Sequence, residues 1–149
     1  MTVRWMLDGK PIGRQVFTVR ADATLVAATQ KLAEHRIGAL LVVSEENNDT
    51  LGIISERVIV RKIAECGHVA LGYQVHQAMT PKEALVTCTA SDTTASIMEQ
   101  MTTGKFRHMP VLNEYGQLAG MISIGDVVNW RLIEIDRENR AMKDYIRTA

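Results

Sequence analysis

The feature that most restricts what this chain can fold into is an internal duplication. Val16-Phe17-Thr18-Val19 matches Leu85-Val86-Thr87-Cys88 at an offset of 69 residues. At the same offset Ala21 meets Ala90, Thr24 meets Thr93, Leu32 meets Met101 and Val42 meets Val111. Past a polar loop the offset becomes 68, and Gly52-Ile53-Ile54-Ser55-Glu56-Arg57-Val58-Ile59-Val60 aligns with Gly120-Met121-Ile122-Ser123-Ile124-Gly125-Asp126-Val127-Val128. A unit of roughly 50 residues buries too little surface to be comfortable alone, so two copies sharing a core are expected.

Each copy gives the same order of signals. A short β-branched strand comes first, Phe17 to Val19 and Val86 to Cys88. A polar helix start follows, at Asp22 in one copy and at Ser91 or Asp92 in the other. The next helix has its apolar face on Leu25, Ala28, Leu32 and Ala33, or on Ile97, Met98 and Met101. Continuous apolar strands come next, Ile37 to Val43 and Phe106 to Leu112, then the polar loops Ser44 to Thr50 and Asn113 to Gln117. Strands Leu51 to Ile54 and Leu118 to Ile122 lead into a second helix. The unit is β-α-β-β-α, its adjacent strands form a hairpin, and its apolar runs predict sheets buried on both faces. The expected fold class is α/β (α+β): two pseudo-symmetric repeats packed through their sheets, with a long C-terminal helix.

The flanks divide the rest. Thr2 to Leu7 predicts a short helix with Val3, Met6 and Leu7 on one face, stopped by Gly9 and followed by a loop over Lys10 to Arg14. Glu65 to Met79, with Gly67 and Gly72, reads as a link between halves. From Asp126 to Ile146 runs a helix with Val128, Leu132, Ile135, Met142 and Ile146 near one face. It is longer than one repeat needs, and a second copy of the chain is its simplest partner. The expected segments are 1–15 (N-terminal helix and linker), 16–66 (first repeat), 67–78 (connector), 79–135 (second repeat) and 136–149 (helix extension).

Composition narrows the function classes. Seventeen Lys and Arg balance 17 Asp and Glu, which argues against bulk electrostatic binding to nucleic acid or anionic membranes. No apolar run approaches the roughly 20 residues of a membrane span, and the first ten residues lack a secretory pattern. Cys66 and Cys88 lie in no CxxC pattern and read as reduced thiols of a cytoplasmic protein. His35, His68, His76 and His108 lack metal-ligand spacing. There is no G-x-S-x-G elbow or Walker loop, so a catalytic set built from Ser123, Asp126 and His108 is disfavoured and no enzyme is expected.

The polar residues worth attention gather in the second copy. Ser123 falls at a helix N-cap and Asp126 at the third helical position, which fits a capping box and equally fits a pair of groups facing a ligand. Arg107 and His108, with Lys105 close by, enter an apolar strand. Arg107 offers a planar fork suited to phosphate, or marks a solvated strand entrance. His108 fits a hydrogen-bonded core histidine as well.

The duplicated unit, the Glu34-His35-Arg36-Ile37-Gly38-Ala39-Leu40 segment and the G-h-h-S-x-x-D element together resemble a tandem cystathionine-β-synthase (CBS) domain pair, or Bateman module, over roughly Val16 to Ile133. The resemblance is to the stand-alone two-repeat proteins of bacteria and archaea, which is the expected type. The resemblance implies two clefts between the repeats that take adenosine compounds: AMP first, with ADP, ATP, NAD(H) or S-adenosylmethionine as alternatives. It implies a homodimer, a regulated protein partner and no obligatory cofactor. It assigns Asp126 to the ribose hydroxyls, Ser123 and the adjoining helix amides to a phosphate or sugar oxygen, and Arg107 and His108 to the phosphates. The Ile37-Gly38-Ala39 strand, the Val16-Phe17-Thr18 segment and Met121 would complete that site.

The same resemblance makes the second cleft unequal. Ser55 is present, but Val58 stands where Asp126 stands, and it cannot accept a hydrogen bond. Glu56 lies two residues earlier, about 200° around a helix, and cannot substitute. Arg57 remains as an anion partner. The expectation is one strong site per chain and a weak or altered one at Ser55, Arg57 and Val58. The leading reading is a regulatory module that senses cellular energy or redox state. The alternative is a structural homodimer that binds no nucleotide and docks on a partner protein.

Overall fold

The computed structural model describes residues 2–8 and 16–149, which form two compact units: Val16–Leu85, and Val86–Ala149 joined by the chain's N-terminal segment. The expected stop at Gly9 and loop over Lys10 to Arg14 lie outside the described residues.

In the Val16–Leu85 unit the elements are β1 (Thr18–Arg20), α2 (Leu25–His35), β2 (Ala39–Val43), β3 (Thr50–Ser55), α3 (Glu56–Cys66) and β4 (Thr80–Pro81), α1 being the helix near the N-terminus described below. The sheet order is β1-β2-β3-β4, with β1 parallel to β2 and the other pairs antiparallel. Every residue of β2 is buried, as its uninterrupted apolar run requires. Leu25, Ala28 and Leu32 of α2 meet Leu40, Val42, Ile54 and Ile59 in one cluster. That places three of the four apolar-face residues in the core, while Ala33 is exposed.

The helix cap differs from the sequence expectation. Thr24, not Asp22, caps α2: its hydroxyl accepts from the Ala27 N–H at 3.1 Å. Asp22 instead receives the Arg20 guanidinium at 3.1 Å. The segment expected to be a link is built into this unit. Two 3₁₀ turns, His68–Gly72 and Val75–Gln77, lead into β4, which adds to the hairpin through Gly52↔Pro81 and Ile53↔Thr80.

The other unit repeats the plan with β5 (Cys88–Thr89), α4 (Thr94–Gly104), β6 (His108–Leu112), β7 (Leu118–Ser123) and α5 (Ile124–Thr148) in a β5-β6-β7 sheet. Thr93 caps α4 by accepting from the Ser96 N–H, the counterpart of Thr24, so neither Ser91 nor Asp92 does. Asp92 accepts from the Thr89 N–H at 2.8 Å and closes the preceding turn. Both hairpins shift register at the matching place, between Val42 and Val43 and between Val111 and Leu112. Helix α1 (Val3–Asp8) packs here, with Val3, Met6 and Leu7 buried among Cys88, Ile97, Met109, Ile122 and Val127. Its first amides donate to the carbonyls of Asp92 and Ala90.

Helix α5 uses Ile124, Val127 and Trp130 against this core. From Ile135 to its end every residue is exposed.

Candidate functional site

In each unit the second hairpin strand runs directly into a helix, and a serine marks the junction. Ser123 accepts from the Asp126 N–H at 3.2 Å, and an Asp126 carboxylate oxygen accepts from the Ser123 N–H at 2.8 Å. The expected capping box therefore exists. It fixes the carboxylate at the positive end of a 25-residue helix, where negative charge is favoured. Ser55 caps α3 by accepting from the Val58 N–H at 3.3 Å, with nothing returned, because Val58 has no acceptor and packs against the core of its unit.

The strand entering the hairpin lies beside this junction. The Ile124 N–H donates to the Arg107 carbonyl at 2.8 Å, and His108 pairs with Ser123 across the β6-β7 ladder. Arg107 is exposed, and His108, Ser123 and Asp126 are half-buried. Lys105 precedes them in the left-handed conformation that ends α4, as Arg36 ends α2. One edge of this sheet thus carries a guanidinium, an imidazole, a hydroxyl and a carboxylate around a helix N-terminus. Met121 lies two residue pairs further in, opposite Pro110.

The equivalent edge of the Val16–Leu85 unit has the same backbone and different side chains. The Glu56 N–H donates to the Gly38 carbonyl at 3.0 Å, and Ala39 pairs with Ser55. Ile37 and Gly38 are half-buried and Ala39 is buried. The Phe17 carbonyl accepts from the Leu41 N–H, Thr18 pairs with Leu41, and the Phe17 ring stacks on His35 at 4.0 Å. Val16, Phe17 and Thr18 are half-buried beside β2, and Lys31 donates to the Thr18 carbonyl. Ser55, Arg57 and Val58 sit at the start of α3, with Arg57 exposed.

The residues expected of the strong site therefore fall into two local groups. Arg107, His108, Met121, Ser123 and Asp126 share one sheet edge, and Val16 to Thr18 share another with Ile37 to Ala39. Sequence reasoning missed an apolar groove of about 520 Å³ on the Val16–Leu85 unit, lined by Leu32, Ile37, Gly38, Ile59, Ile63 and Leu71 among others. Its signal was present in the apolar spacing of α3 and in the small Ala33 on α2. Among the described residues no group of three or more His, Cys, Asp or Glu is placed to hold a metal, and no helix is long and apolar enough to cross a membrane.

Duplicated β-α-β-β-α units, each feeding its hairpin into a serine-capped helix, define a tandem-repeat α/β module. The CBS domain model matches this chain twice, over residues 11–65 and 75–133. The chain belongs to the CBS domain family.

The mitochondrial CBS domain-containing protein CBSX3 of Arabidopsis thaliana is 35% identical over 127 residues, covering 85% of this chain and 61% of its own length. The chain thus spans about three fifths of that curated relative. A crystal structure of a CBS-domain-containing protein from Agrobacterium tumefaciens is 44% identical, with a TM-score of 0.81 over 87% of this chain and 92% of that one. A CBS domain protein from Pyrobaculum aerophilum, solved in complex with AMP, shares the fold at 24% identity and a TM-score of 0.70, over 85% of this chain and 89% of that one.

Proposed function

We propose that this chain is a non-enzymatic regulatory module that binds an adenine nucleotide, AMP foremost, and passes its occupancy to a partner protein as a homodimer. The observation that carries the reading is the side-chain asymmetry on a shared backbone. Asp126, Arg107 and His108 surround one helix N-terminus, and Val58, Gly38 and Ala39 stand at the matching positions. The AMP complex of the Pyrobaculum protein supports the ligand class.

In this reading Asp126 accepts from the ribose hydroxyls, while Ser123 and the first amides of α5 meet a phosphate or sugar oxygen. Arg107 and His108 carry the phosphate charge. The backbone of Ile37 to Ala39 holds the adenine together with Met121, and Val16 to Thr18 line the base. Ser55, Arg57 and Val58 form the weak position. ATP, NAD(H) and S-adenosylmethionine contain the same adenosine and are the competing ligands. The two free cysteines suit a reducing compartment such as the cytoplasm.

Titration calorimetry with AMP tests this. One strong site per chain is expected, and Asp126→Ala should weaken it about ten- to a hundredfold, the worth of one or two charge-assisted hydrogen bonds. Two equivalent sites per chain refute the asymmetry, and unchanged affinity in Asp126→Ala removes the carboxylate from the site.

One observation favours the second reading, a homodimer that binds no nucleotide. The mutual hydrogen bonds of Ser123 and Asp126 give both side chains a structural occupation. A thermal-shift screen separates the two, because a ligand of the folded state raises the melting temperature with its concentration. Failure of AMP, ADP, ATP, NAD(H) and S-adenosylmethionine alike supports the second reading.

A further inference from the structure

The exposed face of α5 carries a pattern finer than amphipathicity. Val128, Leu132, Ile135, Asn139, Met142 and Ile146 follow one another at spacings of four, three, four, three and four. That is a heptad seam of period 3.5, with Val128, Ile135 and Met142 at d and Leu132, Asn139 and Ile146 at a. The core of the unit uses the neighbouring side of the helix, centred about 100° away and carried by Ile124, Val127 and Trp130. The seam is left in water: Leu132 is 61% exposed, Met142 64% and Ile146 67%.

We propose that α5 pairs with α5 of a second copy as a parallel two-stranded coiled coil, with Asn139 setting its register. This rests on the homodimer of the preceding section and specifies how that dimer is joined. Charge complementarity selects the occupant. The g positions are Arg131 and Glu138, and the e positions that follow them by five residues are Asp136 and Lys143. In a parallel pair each g faces the e five residues on in the other helix. Arg131 then meets Asp136 of the partner subunit, and Glu138 meets Lys143 of the partner subunit. Two-fold symmetry doubles both contacts, giving four attractive pairs and no repulsive one.

Within the single chain Arg131 bonds Glu134 at 3.0 Å and approaches Glu138 at 3.8 Å, while Asp136 bonds Arg140 at 3.0 Å. Such solvent-facing pairs are weak and exchange readily.

Asn139 fixes the direction. In a parallel pair it faces Asn139 of the partner subunit, and the two amides hydrogen-bond each other. An antiparallel pair sets each amide against apolar d residues with no partner. A membrane surface is the poorer occupant. From Asp126 to Arg147 the helix has five acidic and five basic residues, whereas a helix lying on a membrane is rich in Lys and Arg.

The test uses the full chain carrying Cys66→Ser, with Cys88 left in its buried place. Leu132→Cys and Met142→Cys are introduced singly and oxidised mildly, and sedimentation velocity is run at tens of micromolar. Arg137→Cys, on the outer f position, is the control. These side chains are in solvent, so the substitutions leave the fold intact. Both seam positions should give disulfide-linked dimers and the control should not.

The positions lie ten residues, about 15 Å, apart. Any antiparallel register opposes at most one of them to itself. A dimer that cross-links at neither or only one overturns the parallel seam and leaves the homodimer standing. A monomer at these concentrations overturns both. Asn139→Ile should tighten association and admit assemblies larger than the dimer, and an unaltered equilibrium removes Asn139 from the seam.

Discussion

Gly52 and Gly120 occupy matching positions in the two repeats, and replacing each by alanine should give very different results. A Cβ at Gly52 would stand 2.2 Å from the Thr80 carbonyl oxygen, on the strand that closes its sheet. A real Cβ contact is at least 3.0 Å, so β3 and β4 must part by about 0.8 Å or more. A carbonyl has no rotamer with which to yield. The displacement weakens the Gly52↔Pro81 and Ile53↔Thr80 pairing and disturbs the buried β2-β3 hairpin behind it. Overpacking of this kind costs about 1–3 kcal/mol, and the strained ladder hydrogen bonds add about 1 kcal/mol each.

At Gly120 the closest atom to the Cβ would be the Cδ2 of Leu7, at 2.8 Å, and that methyl belongs to a rotatable side chain. Alanine also lowers the entropy of the unfolded chain, which returns about 0.4–1 kcal/mol at both sites. The expected net losses are about 3 kcal/mol for Gly52→Ala and under about 1 kcal/mol for Gly120→Ala. Equilibrium urea denaturation with matched m-values measures the difference. Equal losses, or a larger one at Gly120, would refute the argument that β4 is held against Gly52.

Three further outcomes follow from the same geometry. Asp126→Asn keeps an oxygen that can accept from the Ser123 N–H, so it should cost less stability than Asp126→Ala, whose loss of the capping box is worth about 1 kcal/mol; thermal melts compare them. Cys88 is buried beside Asp92, and burial foremost pushes its thiol up to about 12. It should resist a thiol reagent in the native state at mildly alkaline pH, while the half-buried Cys66 reacts. Because an unfolded thiol ionises near 9, Cys88 contributes stability below that pH that is lost as pH rises toward 12; Cys88→Ala should flatten this alkaline decline in denaturation experiments.

Much of this architecture was legible because it is written twice. The 69-residue offset located both sheets and both helix pairs, and the uninterrupted Ala39–Val43 run marked a strand buried along its length. The helix caps were misplaced by one or two residues. Asp22 and Asp92 are good cap residues by propensity, but one is held by Arg20 and the other closes a turn with Thr89, which leaves the role to Thr24 and Thr93. The repeat alignment had already paired those threonines. What no local pattern carried was long-range. Thr80–Pro81 is too short to read as a strand and becomes one only by lying against Gly52. Helix α1 announces its apolar face but not its target, and it settles beside Cys88 and Ile97, far along the chain. The candidate site residues were legible as types and spacings; that His108 and Ser123 share one sheet edge became visible only once the two were seen to pair, and Ile37 to Ala39 lie on a different sheet.

The duplication also supplies a control on the meaning of Asp126. The first repeat reaches the same junction with Ser55 as its side-chain cap, the same carbonyl contact from the helix start, and a half-buried valine packed against the core at the matching position. The junction therefore forms without an acid. A capping box explains where the Asp126 carboxylate is held, but the architecture does not require it, and a valine there would bury apolar surface instead. The half-buried Asp126 carboxylate already accepts from the Ser123 N–H, so a role toward a ligand would be additional to its place in the fold. Asp126→Val tests this directly, since it imports the first repeat's own solution. If the variant folds as stably as the parent and loses AMP binding, the acid serves the ligand. If it binds AMP unchanged, or if neither protein binds, the carboxylate serves only the helix.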